Sequence, residues 1–151
     1  MKVRILFTVL CIALLAACGG PADGTAFKAP DGWKSTPGIM GRFQMWMSGE
    51  QILMVIRGDK NMNLNDAEKA QPGTTNLRDV KQSNIVLCGK QPAQYFSGRG
   101  TSKTNGRTKD RFVEGVIATI GDGKFFAMYV RPSSAKADPQ AETALHSLCK
   151  K

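Results

Sequence analysis

The sequence predicts an α+β fold, an antiparallel β-sheet flanked by helices. Several segments alternate apolar and polar residues, which is typical of half-buried strands, and short turn signals separate them. Near the end of the chain, apolar residues recur instead at the spacing of one helix face. The resulting order of strands, a short helix, four more strands and a final helix favours one sheet with helices packed on it.

The chain begins with the three-part pattern of a secretory signal peptide over residues 1–17. Lys2 and Arg4 make its start positive, an apolar run extends from Ile5 to Leu15, and two small residues precede Cys18. The apolar run is too short to span a bilayer, which takes about 20 residues. We therefore predict an exported protein whose leader is removed.

The segment Leu15-Ala16-Ala17-Cys18 resembles the lipobox of bacterial lipoproteins, a branched apolar residue and two small residues before Cys. The resemblance implies cleavage before Cys18 and a covalent diacyl lipid on its sulfur, and we expect no other cofactor. Two or three acyl chains hold a protein stably on a membrane where one does not. Gly19, in the place where an Asp favours inner-membrane retention, favours the outer membrane if the source has two membranes.

Length and charge limit the partners of the mature chain. Of 151 residues, 134 remain without the leader, which is enough for one domain with a core. Residues 18–26 are small and turn-forming and predict a flexible tether, so that residues 27–151 form the single domain. The net charge of +9 falls to +7 when Lys2 and Arg4 leave with the leader. Such a basic surface suits anionic lipid or an acidic envelope protein, and export excludes nucleic acid.

Two cysteines remain for the folded domain, Cys88 and Cys149, because Cys11 lies in the leader and Cys18 carries the lipid. A disulfide between them can persist in an oxidising compartment. Two buried free thiols and a redox pair are the alternatives, and the absence of a Cys-x-x-Cys motif disfavours the redox pair.

Strands are predicted where apolar residues alternate, or where branched residues cluster between turns. In chain order they are residues 42–48, 51–57, 84–88, 93–97, 111–120 and 124–131. Gly49-Glu50 and Gly121-Asp122-Gly123 predict tight turns between neighbouring strands. Residues 74–83 carry no clear pattern.

Two helices are predicted. Asn65 is expected to cap a short helix over residues 66–71, which ends before Pro72. Asp138 caps the final helix and Pro139 takes its first position. One apolar stripe on that helix faces the sheet: Ala141, Ala144, Leu145 and Leu148, with Cys149 on the same side.

Three motifs, Pro30–Trp33, Leu87–Ala93 and Tyr129–Pro132 with the helix up to Cys149, resemble the PsbP-like fold. That family includes photosystem accessory subunits and Ran-binding proteins, and the motifs also resemble small uncharacterised bacterial lipoproteins associated with it. The resemblance implies a sandwich of an antiparallel sheet and helices. It also implies a non-catalytic binding or accessory domain, since known members mostly bind partners.

Catalytic and metal chemistry has little support in the sequence. The sole histidine, His146, lies off the apolar stripe, and no Gly-x-Ser-x-Gly elbow supplies a nucleophile. Residues 59–63 begin like a calcium loop, but Leu64 replaces the required Gly and Ala70 the required Glu. We predict neither an enzyme nor a metal site.

The most basic segment carries five cations against one acid, Asp110. The cations are Arg99, Lys103, Arg107, Lys109 and Arg111. Three glycines, Gly98, Gly100 and Gly106, favour a mobile loop. The segment is interpreted either as a solvated hairpin loop or as a contact with anionic lipid, lipopolysaccharide or an acidic protein.

A methionine-rich segment, Met45-Trp46-Met47 with Met40 and Met54 nearby, offers the alternative function. Thioethers suit Cu(I), so the runner-up is a small ligand or copper carrier of the periplasm. The two methionines of the segment share a face with Phe43, however, which favours ordinary strand core.

The lipobox generates a direct test. Replacing Cys18→Ser removes the sulfur that would carry the acyl chains, so lipidation and leader cleavage before residue 18 should both be lost. Detergent-phase partitioning with intact mass measures both. Acyl mass on the variant would refute the assignment of Cys18.

Overall fold

The structure is a computed structural model that describes residues 20, 22–36, 42–63, 65 and 75–151. A seven-stranded antiparallel sheet dominates these residues. Its strands are β1 (Lys34–Thr36), β2 (Phe43–Ser48), β3 (Gln51–Gly58), β4 (Thr75–Leu87), β5 (Gln91–Thr104), β6 (Arg107–Ile120) and β7 (Gly123–Pro132). They lie across the sheet in the order β1-β2-β3-β7-β6-β5-β4, and a helix, α1 (Pro139–His146), follows them in sequence.

The predicted α+β sandwich with flanking helices is wrong. The described residues are mostly strand, with one short helix packed on the sheet, so the fold is mainly antiparallel β. The error lies in residues 75–83 and 98–110, which belong to β4, β5 and β6 and the turn between the last two. Their many polar residues, and the glycines of the second range, resemble a loop in composition. The helix predicted over residues 66–71 lies outside the described residues.

The strand predictions with apolar alternation are confirmed. β2 and β3 meet at the Gly49-Glu50 turn, as expected, and β6 and β7 meet at Gly121-Asp122. Gly121 adopts a φ of 62°, the left-handed conformation that a tight hairpin turn requires. β4, β5 and β6 are longer than predicted, with 13, 14 and 14 residues.

Successive side chains point to opposite faces of the sheet, and each face carries its own hydrophobic cluster. The face under α1 includes Trp46, Leu53, Val55, Val116, Ala118, Phe125, Ala127 and Tyr129. The opposite face includes Met54, Ile56, Phe96, Val113, Ile117, Phe126, Met128 and Val130. The central strands β3, β6 and β7 are therefore buried on both sides, which explains their nearly continuous apolar runs.

A single glycine allows the ring of Phe96 to lie flat against the sheet. Gly115 pairs directly with Phe96 across β5 and β6. A Cβ at residue 115 would lie 2.4 Å from Phe96 Cζ and 2.7 Å from the carbonyl oxygen of Ala127. A side chain there would displace either the ring or the neighbouring strand.

The final helix begins as predicted, but it ends at His146, before Leu148 and Cys149. The Asp138 side chain accepts a hydrogen bond from the Gln140 amide at 2.8 Å, and Pro139 occupies the first turn. The predicted stripe faces the sheet, and its members are at most 2% exposed: Ala141, Ala144, Leu145 and Leu148. α1 therefore closes one face of the sheet with small and branched side chains.

A disulfide joins Cys88 to Cys149, with their Cα atoms 6.3 Å apart. Cys88 lies in the turn after β4, and Cys149 lies three residues beyond the end of α1. The bond therefore attaches the segment after the helix to the β4–β5 turn, close to the strand position that the sequence suggested.

Residues assigned to the tether take part in the fold. Thr25 is 2% exposed and forms an isolated antiparallel bridge with Lys150. The Ala26 amide donates a hydrogen bond to the Cys149 carbonyl at 2.7 Å. Contacts with the folded domain therefore begin before Phe27 among the described residues.

The disulfide spans 61 residues of sequence, and the chain-entropy model assigns such a loop about 4 kcal/mol of stability as an upper value. The double variant Cys88→Ser/Cys149→Ala should lower the free energy of unfolding by roughly 2–4 kcal/mol in urea titrations. Reduced wild type serves as the control and should unfold at the midpoint of the variant. An unchanged midpoint in both samples would show that sheet packing alone holds α1.

Candidate functional site

The basic segment is not a mobile loop. Residues 98–104 belong to β5 and residues 107–111 to β6, and a two-residue turn, Asn105-Gly106, connects them. These turn residues adopt φ values of 50° and 73°, as hairpin turns with two left-handed positions require. Gly98 is buried beside β4, where a Cβ would lie 3.0 Å from the Arg78 carbonyl oxygen. Gly98 therefore allows β4 and β5 to approach closely, and it does not make the segment mobile.

The five cations do not form one surface. Directly paired residues share a face, and Arg99 pairs with Phe112 while Lys103 pairs with Thr108. Arg107, Lys109 and Arg111 alternate with those partners along β6 and therefore lie on the opposite face. The predicted anionic-surface site is thus divided between the two faces of the hairpin.

Two of the cations serve the fold. Arg111 is 7% exposed, and its Nε donates to Ser102 Oγ at 2.8 Å. Its Nη1 reaches the carbonyl oxygen and the carboxylate of Glu50 at 3.3 and 3.4 Å. Lys109 also pairs with Glu50, and this hydrogen bond and charge, together with Arg111, lower the pKa of that carboxyl. Arg111 and Lys109 therefore hold the hairpin against the β2–β3 turn, and their assignment to a free basic surface is corrected.

The methionines and Trp46 are not brought together. Met45 and Met54 are cross-strand partners in the cluster on the face opposite α1, and Met54 is fully buried. Trp46 lies on the other face, with its ring 5.3 Å from that of Phe27. Met40 lies outside the described residues. The arrangement is that of strand core, as Phe43 on the same face suggested.

A cleft of about 650 Å³ opens between α1 and the sheet. Its floor comes from three strands and its wall from the exposed side of the helix. The lining residues are Ile85, Tyr95, Glu114, Pro139, Glu142, Thr143, Leu145 and His146. Such a mixture of apolar surface with a few polar groups is typical of ligand sites.

A buried polar chain crosses the floor of the cleft. The Tyr95 hydroxyl donates to Glu114 Oε1 at 2.7 Å, and Glu114 Oε2 lies 3.7 Å from Arg131 Nε. These residues are diagonal neighbours on β5, β6 and β7, which is why long side chains on one face can meet. Arg131 also donates to the Ala135 carbonyl at 2.6 Å and lies over the ring of Phe112.

This chain is only partly satisfied by hydrogen bonds. Among the described residues, neither Glu114 Oε2 nor Arg131 Nε has a hydrogen-bond partner. Burial, followed by the hydrogen bond to Glu114 and the charges of Glu114 and Glu142, raises the pKa of Tyr95 well above its usual range, although Ser97 opposes the shift. The phenol therefore remains a neutral donor and does not act as a base.

The helix contributes the rim of the cleft. The His146 ring lies nearly parallel to that of Tyr95, with 6.4 Å between centroids and 13° between planes. Glu142, one turn earlier, makes no ion pair with any residue the structure describes. His146 is exposed, as its place off the apolar stripe predicted.

Sequence reasoning missed the residues beneath this rim. Glu114 is a carboxylate in a long apolar strand segment, Phe112–Ile120, and an isolated charge at such a position was the available signal. Its partners come from strands that are neighbours only in the folded sheet, so spacing along the chain could not identify them.

Within the described part of the chain, no group of three or more His, Cys, Asp or Glu side chains is placed to hold a metal ion. In the same ranges, no helix combines the length and apolar character that a membrane crossing takes.

No family model matches the chain, and no curated protein matches it. A protein of known crystal structure from Bacteroides thetaiotaomicron VPI-5482, determined at 1.50 Å resolution, is similar in fold with a TM-score of 0.55. The two chains are 11% identical, and the match covers 87% of this chain and 47% of that one. This chain thus spans about half the length of its structural neighbour, and at this identity the likeness shows the fold alone.

The two roles found among the basic residues give a matched pair of variants. Arg111→Gln removes a buried guanidinium and its contacts with Ser102 and Glu50, and should lower the thermal midpoint by roughly 5 °C. Arg107→Gln, on the same face of β6 but exposed, should change it by less than about 2 °C. Equal midpoints for the two variants in scanning calorimetry would contradict the structural role of Arg111.

Proposed function

We propose that this protein is an exported lipoprotein, anchored in the membrane by lipid on Cys18 and facing the periplasm, whose folded part is a non-catalytic binding domain. Outer-membrane delivery is the favoured location in a cell with two membranes. The leader pattern and the lipobox support the anchor. The Cys88–Cys149 disulfide supports export, because such bonds persist in oxidising compartments and are rare in the cytosol.

The observation that carries the binding function is the cleft between α1 and the sheet. Its volume of about 650 Å³ lies within the usual range of ligand pockets. Two polar residues of its floor, Tyr95 and Glu114, come from neighbouring strands and are hydrogen-bonded to each other. The disulfide holds the segment that follows its helical wall.

The chemistry of the cleft favours binding over catalysis. Its phenol donates a hydrogen bond to Glu114 and has a raised pKa, so it stays protonated and is a poor nucleophile and a poor base. The hydroxyl of Thr143 donates to the Pro139 carbonyl at 2.8 Å, within its own helix, and is not activated by a base. We therefore assign the cleft to recognition.

The exposed cations of the hairpin supply a second contact with the envelope. Arg99, Lys103 and Arg107 are exposed near the β5–β6 turn, and each cation near an anionic membrane contributes about 1 kcal/mol. Anionic lipid or an acidic envelope protein is their proposed partner.

The proposed function predicts membrane association together with ligand uptake in the cleft. His146 is the sole histidine, so its imidazole NMR signal reports on the cleft alone. The lipidated protein should sediment with membranes. In neutral-lipid nanodiscs, its His146 signal should shift when small molecules extracted from the native envelope are added.

Thr143→Trp fills the cleft from an exposed helix position and should abolish the shift, whereas Thr36→Trp, on β1, should retain it. If no envelope fraction shifts the His146 signal, the binding function is refuted. Recovery of wild-type protein in the soluble fraction would refute the anchor.

A further inference from the structure

We infer that the cleft between α1 and the sheet binds an organic cation, an ammonium or guanidinium group held by the Glu142 carboxylate and the aromatic rings of the cleft. This inference rests on the proposed function, which assigns ligand binding to the same cleft, and it adds the chemical class of the ligand.

The charge of the cleft is opposite to that of the chain. The whole sequence has 21 Lys and Arg against 12 Asp and Glu. Among the described residues that line the cleft, two are Glu and none is Lys or Arg. Glu114 is paired with Arg131, 3.7 Å from its Oε2, so the unbalanced negative charge of the cleft is that of Glu142. Such a charge in a strongly basic protein attracts cations and repels anions.

Of the two carboxylates that line the cleft, Glu142 is the one without an ion pair among the described residues. It makes no ion pair within 4 Å among the described residues, although cations are abundant elsewhere on the protein. Its negative charge reaches the inner wall, since it contributes to the raised pKa of Tyr95. A ligand cation between Glu142 and Tyr95 would supply the missing partner.

Glu114 has spare acceptor capacity at the floor. The residue is 9% exposed and receives one hydrogen bond, from Tyr95, while Arg131 remains at 3.7 Å from Oε2 without hydrogen-bond geometry. Buried carboxylates are normally surrounded by donors, because unpaired acceptors are costly to bury. Oε2 is itself buried and faces Arg131, so Glu114 adds polarity to the floor, while the contact with a ligand cation is assigned to Glu142.

The remaining walls fit the other parts of an organic cation. The rings of Tyr95 and His146 lie almost parallel beside the carboxylates, and the face of a phenol ring attracts ammonium and guanidinium groups. Ile85 and Leu145 provide apolar contact for a methylene chain. A metal ion fits less well, since the described residues hold no cluster of three or more ligating side chains.

The cation has two possible sources with the same chemistry. It is either a free amine or a Lys or Arg side chain of an extended peptide. β4 is an outermost strand of the sheet, and its Ile85 lines the cleft. A peptide that adds to this edge would thus lie beside the cleft opening.

The test uses the lipidated protein in neutral-lipid nanodiscs, with the His146 imidazole signal as reporter. Butylammonium and butylguanidinium should shift this signal saturably, with dissociation constants at least about tenfold lower than that of the neutral isostere 1-butanol. Butyrate should leave it unchanged. Equal responses to butylammonium and 1-butanol would overturn the cation inference, while the envelope-extract titration would still support a binding cleft.

Glu142→Gln is the decisive variant, since this half-buried residue of the rim has no ion pair among the described residues. One solvent-accessible ion pair contributes about 0.2–1 kcal/mol, so its loss should weaken butylammonium binding about 1.4- to fivefold. Asp79→Asn removes the same charge at an exposed site on β4 outside the cleft and should bind butylammonium like wild type. Equal affinities of wild type and Glu142→Gln would overturn the role of that carboxylate.

A second pair of probes distinguishes the source of the cation. Acetyl-Val-Lys-Val-amide is compared with butylammonium, and acetyl-Val-norleucine-Val-amide is the neutral control. Tenfold tighter binding of the lysine peptide than of both others would assign the cation to a peptide on β4. Equal affinity of the lysine peptide and butylammonium would assign it to a free amine. If the norleucine peptide binds as tightly as the lysine peptide, recognition of the cation is refuted.

Discussion

Closure of one sheet face by α1 is the constraint on which the rest of the structure depends. A helix of eight residues is too short to be stable alone, so packing and the bond between Cys88 and Cys149 must hold it. Once the helix is held, its buried stripe seals the hydrophobic cluster beneath it. Its other side forms the wall of the cleft with Glu142 and His146. The same attachment therefore serves stability on one side of the helix and recognition on the other.

The polar chain under this helix connects the central strands. Tyr95, Glu114 and Arg131 come from three adjacent strands, and next to them the Tyr129 hydroxyl accepts a hydrogen bond from the Asp138 amide at 2.9 Å. Asp138 in turn caps α1. The start of the helix is thus tied to the sheet by a tyrosine, while its far end is tied by the disulfide. Buried polar contacts of this kind favour one placement of the helix over others that apolar packing alone would allow.

The sequence was most informative where one side of an element faces a core. The stripe on the final helix reports burial on one side, and that prediction was confirmed. Residues 43–48 form the predicted strand, but hydrophobic clusters lie on both of its faces, and its buried residue, Trp46, points away from Phe43 and Met45. The pattern failed over residues 98–110, because solvent-facing strand residues and a buried glycine resemble a loop in composition. The cleft was missed for another reason: Glu114 meets its partners through sheet order, which no local pattern encodes. His146 was correctly placed as exposed, but its neighbours were unknown.

The number of free cysteine thiols determines how many incorrect disulfides the mature chain can form. Cys88 precedes Cys149 by 61 residues, so during export it stays unpaired until three of the seven strands have followed it. In that interval the nearest free thiol on the mature chain would be Cys18, and three thiols permit three different bridges. Acylation of Cys18, as proposed, leaves two thiols and therefore one possible bridge. The lipid would then restrict oxidation to the Cys88–Cys149 bond, in addition to anchoring the protein. With only one possible bridge within the chain, no isomerase would be needed to correct it.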